Sequence, residues 1–205
     1  YDVNLPHMSA SASHPLIPRR KPLHARVGLF GVGHMTYWAQ FEGLLDEMHR
    51  KLAVMGGKVR ACGVEVVNFG MVDCAKAAYA LRDRVKAANL DLLFCDMVTY
   101  ATSATFGILI RDLDIPIVLV ALQPRPALDY TVASTYMQLA NDDFCSVPQF
   151  TGVAIRMGKK PPPVILGTLE NDPDADADCP RAARSEVGPD RPLRPSHRAH
   201  ARHAD

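Results

Sequence analysis

The run IPIVLVAL, residues 115–122, is apolar at every position and ends at the polar, proline-punctuated segment Gln123-Pro124-Arg125-Pro126. A strand with one wet face alternates apolar and polar side chains. A run that is apolar throughout asks for cover on both faces, as a central strand of a parallel sheet receives from helices above and below. Three other runs qualify as its neighbours: RVGLFGV at 26–32, which ends in a glycine turn, VEVVNF at 64–69, and LDLLFCD at 90–96.

Helical periodicity fills the gaps. Over residues 36–55, Phe41, Leu44, Leu45, Met48, Leu52 and Met55 recur at three- and four-residue spacing, and Gly56-Gly57 reads as the stop. Residues 73–89 place Ala77, Leu81, Val85 and Ala88 on one side, with Asp73 as the expected N-cap. Residues 102–113 and 131–141 read as two further helices. Two short extended runs, 152–157 and 164–169, flank the stiff Lys159-Lys160-Pro161-Pro162-Pro163 linker, and the second is open to pairing with something further along. Strands alternating with helices predict a three-layer, Rossmann-like (flavodoxin-like) α/β domain with a mostly parallel sheet over residues 26–170.

The flanks read differently. Residues 1–25 are rich in Ser, Pro, His and Ala without periodicity, as in a disordered leader or cloning remnant. Residues 171–205 open with an acidic, alanine-rich stretch and then carry arginine, proline and histidine with Val187 and Leu193 as the large aliphatics. That composition cannot offset the entropy of ordering, and it reads as a disordered tail or as a change of reading frame near Asp178, the reading it favours.

Bulk composition excludes some classes. Of 205 residues, 48% are hydrophobic and 22% charged, and the net charge of +1 offers no broad field for nucleic acid or anionic lipid. No apolar run reaches the ~18–20 residues a membrane span needs. Residues 9–22 lack the apolar core of a signal peptide, so a cytoplasmic location is expected. The five cysteines (Cys62, Cys74, Cys95, Cys145, Cys179) stand singly, without zinc-site spacing, and are expected to be reduced and mostly buried.

Chemistry concentrates at the carboxyl ends of the predicted strands. Gly31-Val32-Gly33-His34 follows a strand, but Thr36 stands where a dinucleotide fingerprint needs its third glycine, and no acidic residue closes the second strand. The turn presents His34, Tyr37, Trp38 and Gln40; the third strand adds Asp96 and Tyr100, and the fourth Gln123 and Arg125. Amide, imidazole, phenol, carboxylate and guanidinium groups at one edge suit a polyol. No paired carboxylates with histidine at ligand spacing and no G-x-S-x-G elbow are present, so neither a metal site nor a serine hydrolase is indicated.

Two stretches, VGLFGVGHMTYWAQF at 27–41 and LQPRPALDYTVASTYMQLANDDFCSVPQFTGVAIRMG at 122–158, together with Asp172-Pro173-Asp174-Ala175-Asp176, resemble the N-terminal region of the L-arabinose isomerase and L-fucose isomerase superfamily, on its arabinose isomerase-like branch. The resemblance implies a carbohydrate-metabolising aldose–ketose isomerase of the L-arabinose to L-ribulose type, oligomeric and manganese-dependent. In that family two glutamates and two histidines from later domains hold the metal. This sequence does not reach those domains, so the chain is expected to be truncated, to bind no metal and to be inactive alone.

By that resemblance the strand-end loops line a neighbouring subunit's sugar pocket. The matching positions are His34, Tyr37 and Gln123, with Trp38, Asp129 and Tyr136 as further candidates. A stand-alone sugar-binding or interaction module without catalysis is the alternative reading, and a nucleotide-binding flavodoxin-like domain a third.

Overall fold

The computed structural model describes residues 24–169. Residues 1–23 of the expected leader and the whole expected tail, with Cys179, lie outside the described residues, whereas Ala25, read as part of the leader, is buried in the core. In chain order the elements are β1 (Arg26–Val32), a 3-10 turn (Met35–Tyr37), α1 (Leu44–Ala61), β2 (Glu65–Val72), α2 (Ala75–Ala87), β3 (Leu92–Asp96), α3 (Ser103–Ile110), β4 (Ile117–Gln123), α4 (Thr135–Ala140), α5 (Val147–Arg156) and β5 (Val164–Thr168).

The strands form one five-stranded sheet in the order β2-β1-β3-β4-β5, and every neighbouring pair is parallel. Side chains alternate across it. Leu29, Phe94, Val118 and Val120 face α1 and α4 with Leu44, Met48, Leu52 and Leu139. Phe30, Leu93, Cys95 and Leu119 face α2, α3 and α5 with Leu81, Val85, Phe106 and Phe150. The result is the three-layer, Rossmann-like α/β fold read from the sequence. Its strand order is the doubly wound, flavodoxin-like one, whose direction of winding reverses between β1 and β3.

Tertiary packing overruled several local signals. The helix expected at 36–55 begins only at Leu44, because Gly43 takes a left-handed backbone (φ 81°) that breaks it from the preceding 3-10 turn. It then runs through Gly56-Gly57 to Ala61. A Cβ on Gly56 would stand 3.4 Å from Leu29 Cδ2, so this glycine lets the helix lie close on β1 while Met55 and Val59 are buried beside it. That packing outweighs the ~1 kcal/mol each glycine costs a helix. Gly63, at φ 76°, follows the helix end instead.

The run at 152–157 is helix rather than extended chain. Pro148 opens α5, and Phe150 and Ala154, four apart, share its buried side. The run at 164–169 finds its partner within this sheet, pairing with β4 from Leu119↔Val164 to Gln123↔Thr168. Of the described cysteines Cys95 is buried, whereas Cys62 and Cys145 are exposed, which corrects the expectation that most are buried. No helix among the described residues is long and apolar enough to cross a membrane.

Phe106 and Phe150 are fully buried, and their rings stack with centroids 4.8 Å apart, joining α3 to α5. Phe106→Ala is expected to cost about 3–5 kcal/mol in urea unfolding; a loss below ~1 kcal/mol would show that this contact is not part of the cooperative core.

Candidate functional site

The reversal point between β1 and β3 carries a group of polar rings. β1 continues into Gly33, whose backbone lies under Trp38: a Cβ there would meet the indole at 2.7 Å, so the turn requires glycine. The Gly33 and Met35 amides donate to the carbonyls of Val72 and Asp73, fastening the turn to the end of β2. His34 follows. Its Nδ1 lies 2.5 Å from the Thr36 hydroxyl, a contact that orients the imidazole. The 3-10 turn then brings Tyr37 back beside it, with ring centroids 5.2 Å apart.

Beyond the end of β3 the chain stays buried through Thr99 and surfaces at Tyr100. The Tyr100 ring lies nearly parallel to His34 at 6.3 Å and tilted to Tyr37 at 6.4 Å. Tyr37 also meets Trp38 and Phe41 edge-on at 6.5 and 6.4 Å. Partial burial raises the Tyr37 pKa, and Tyr100, Asp142 and Cys145 add to the rise by opposing a nearby negative charge, so it is a neutral donor at ordinary pH.

Asp142 and Cys145 reach Tyr37 from the connection between α4 and α5. Burial raises Asp142 above its usual range, with the Cys145 thiol and Lys51 pulling back. Although Cys145 is exposed as a residue, partial desolvation of its thiol, with Asp142 and Asp143 opposing a further negative charge, pushes it up to about 12, which leaves it protonated and not an activated nucleophile. The segment is strapped down from three places, the connection after β3, the end of β4 and α1. Thr99 donates to the Leu139 carbonyl (2.7 Å), Gln123 to the Asn141 carbonyl (2.6 Å), and Ser146 both accepts from and donates to Ala101 at 3.0 Å. Lys51, from α1, donates to the carbonyls of Val98 and Ala140 and pairs with Asp143 at 2.6 Å.

The candidates named from sequence therefore divide. His34 and Tyr37 come together, and Tyr100 joins them. Gln123 stands at the end of β4, its amide committed to Asn141, while the Asn141 side chain accepts from the Arg125 amide. Trp38 packs under Gly33 and donates from Nε1 to Asp73 at 2.6 Å; Asp73, expected to cap α2, is turned to this bond, and Cys74 occupies the cap position. Gln40 bonds the Thr36 carbonyl. Asp129 is exposed, and its bonds to the Thr131 hydroxyl and amide hold its carboxyl below the usual range. Tyr136 donates to Glu47 at 2.7 Å on the α1 side.

Sequence reading passed over Lys51, Asp142 and Asp143. For Lys51 a signal existed: it falls within the stripe Leu44, Met48, Leu52, Met55 and Val59 that α1 buries, and a lysine on an apolar stripe must find a partner.

No family model matches the chain, and no curated protein matches it. Among solved structures it is similar to a type II dehydroquinase from Propionibacterium acnes, at 9% identity and a TM-score of 0.42, with 78% of this chain and 98% of that one covered. These findings correct the expected kinship with the L-arabinose and L-fucose isomerases. The aldose–ketose isomerase activity, its intramolecular oxidoreductase class and the manganese cofactor fall with it. Among the described residues no group of three or more His, Cys, Asp and Glu side chains is placed to hold a metal ion.

The stretches that carried the resemblance have local structural reasons for their residues. Gly33 makes room for Trp38, Ser134 caps α4 by accepting from the Met137 amide, Asn141 ties two loops, and Phe150 fills the core. A doubly wound sheet needs such turns and caps whatever its chemistry.

The Trp38–Asp73 bond adds a side-chain tie to the two backbone bonds that fasten the ring-bearing turn to the end of β2. Trp38→Phe keeps the packing and removes the donor to a carboxylate, so a loss of about 1–2 kcal/mol in chemical denaturation is expected; unchanged stability would show the bond to be incidental.

Proposed function

We propose that this chain binds a small polyhydroxylated organic molecule at the edge where β1 and β3 diverge, with His34, Tyr37 and Tyr100 as its contact surface. The convergence of these three rings, from two separate loops, at the reversal point of a doubly wound sheet is the observation that carries the reading. Open α/β sheets take ligands in the crevice outside the carboxyl ends of their strands at this point, because the two connecting helices leave in opposite directions and part.

The chemistry of the surface supports the same class. Polar-tipped rings offer a face to the C–H side of a small ring and donors or acceptors to its hydroxyl groups. The Tyr37 phenol is a donor, and Asp142 beside it is an acceptor whenever ionised. Tyr100 also forms one wall of a cleft of about 460 Å³ with Thr102, Ser103, Gln149 and Arg156, which is room for a small organic molecule. Hydroxyl, amide and guanidinium groups line it. The cleft and the ring group share Tyr100.

Trp38, the chain's single tryptophan, lies against Tyr37 and reports on the site. Titration of a panel of sugars, sugar acids, other cyclic polyols and nucleotides is expected to change its fluorescence saturably for at least one hydroxylated compound. Tyr37→Ala and Tyr100→Ala are each expected to weaken that binding about tenfold, some 1.4 kcal/mol. Binding that both variants leave intact, saturation by nucleotides alone, or no saturation across the panel would overturn the assignment.

A further inference from the structure

On the α1 face of the sheet lies a buried charge cluster that the proposed binding role does not use. Lys51, Asp143 and Asp96 are 5%, 1% and 3% exposed and come from α1, the connection after α4, and the end of β3. Val98, Val120, Leu139 and Ala140 belong to the apolar core on the same face. The ammonium spends its reach on the carbonyls of Val98 (2.6 Å) and Ala140 (3.2 Å) and on the Asp143 carboxyl (2.6 Å). Asp96 Oδ2 has no hydrogen-bond partner.

We propose that Lys51, Asp143 and Asp96 form a proton-dependent latch that sets how firmly residues 139–146, with Asp142 and Cys145, are held against Tyr37 and Tyr100. Its bearing on ligand binding rests on reading those rings as the ligand site. One cation faces two carboxyls in a water-poor space. With both carboxyls ionised the cluster carries a net negative charge away from solvent, a costly state; with one of them protonated it is neutral.

Among the described residues, the titratable groups that act on the cluster add no cation besides Lys51. Cys95 adjoins Asp96, Asp142 and Cys145 flank Asp143, and Tyr37 faces Asp142; the ionised form of each is an anion. Burial raises Asp96 to about 7 and Asp143 to about 8, while Lys51 pulls both back. The two carboxyls titrate as a coupled pair. As pH rises the carboxylic O–H breaks, its proton leaves to solvent, and the extra negative charge stays behind, straining the contacts through which Lys51 holds the segment.

The sign of the stability change follows. The unfolded chain releases a carboxyl proton near 3.8, whereas the folded chain keeps that of Asp96 to about 7. Between those values the folded state binds more protons, so this contribution falls as pH rises across the window. Asp96→Asn is close in shape and leaves Lys51 and Asp143 as a balanced pair.

The test needs no ligand. In ¹⁵N-labelled full chain, the amides of residues 139–146 are followed from about pH 5 to about pH 9, with urea stability measured in parallel. A shared midpoint in the neutral range is expected, moved to lower pH in Asp96→Asn together with a shallower downward slope of stability, because Asp143 then titrates without a second buried carboxyl beside it. Should that variant not fold, Lys51→Met must raise the midpoint by about one unit or more, because it removes the cation that lowers both carboxyls. A wild-type chain without the transition, a transition unchanged in Asp96→Asn, or an unmoved midpoint in Lys51→Met would overturn the latch while leaving the ligand assignment standing. A failed ligand titration would leave the latch standing.

Discussion

β3 is buried along its whole length and β4 through Leu122, with Leu93, Cys95 and Leu119 meeting one helical layer and Phe94, Val118 and Val120 the other. Two strands that cannot show water either face require helices on both, and parallel pairing requires each connection to cross the sheet. The three layers follow from that requirement. So does the crowding of loops at the carboxyl edge, where His34, Tyr37, Tyr100 and Gln123 all emerge although they are far apart in sequence.

The edge is held by side chains more than by regular structure. The connection from α4 to α5 has little repetitive backbone of its own, and its position depends on Thr99, Ser146, Gln123 and Lys51 reaching its carbonyls or the groups beside it. A buried ammonium among carbonyls and a carboxylate is an expensive way to fix a loop compared with apolar packing. Its use here gives the loop a dependence on protonation that an apolar contact would lack.

Legibility varied with the kind of signal. The four strands read as apolar runs were found nearly in place: for β1, β3 and β4 burial on both faces writes itself as a run of large aliphatics, while β2, a half-buried edge strand, was read from its β-branched residues. α1 was shifted, since Gly43 breaks the helix through its backbone conformation and Gly56 serves a close approach to Leu29, and a glycine in sequence shows neither purpose. α5 was misread as extended because Val153 and Ile155 favour strands locally, and the stacking of Phe150 on Phe106, which anchors it as a helix, joins residues 44 positions apart. His34 and Tyr37 were legible as polar rings after a strand. The role of Asp143 was not, because its partners come from α1 and β3.

The residue pattern by itself determined the layer architecture, the parallel sheet and the edge at which polar groups gather, since each follows from local hydrophobic period and from turn residues. Only the tertiary structure decided that the winding reverses between β1 and β3, that Tyr100 rather than Gln123 meets the rings of the first turn, and that Lys51 lies buried against the Asp143 carboxyl. Those outcomes depend on which strands become neighbours. That choice is made by the packing of whole helices on whole faces, and no short stretch of sequence contains it.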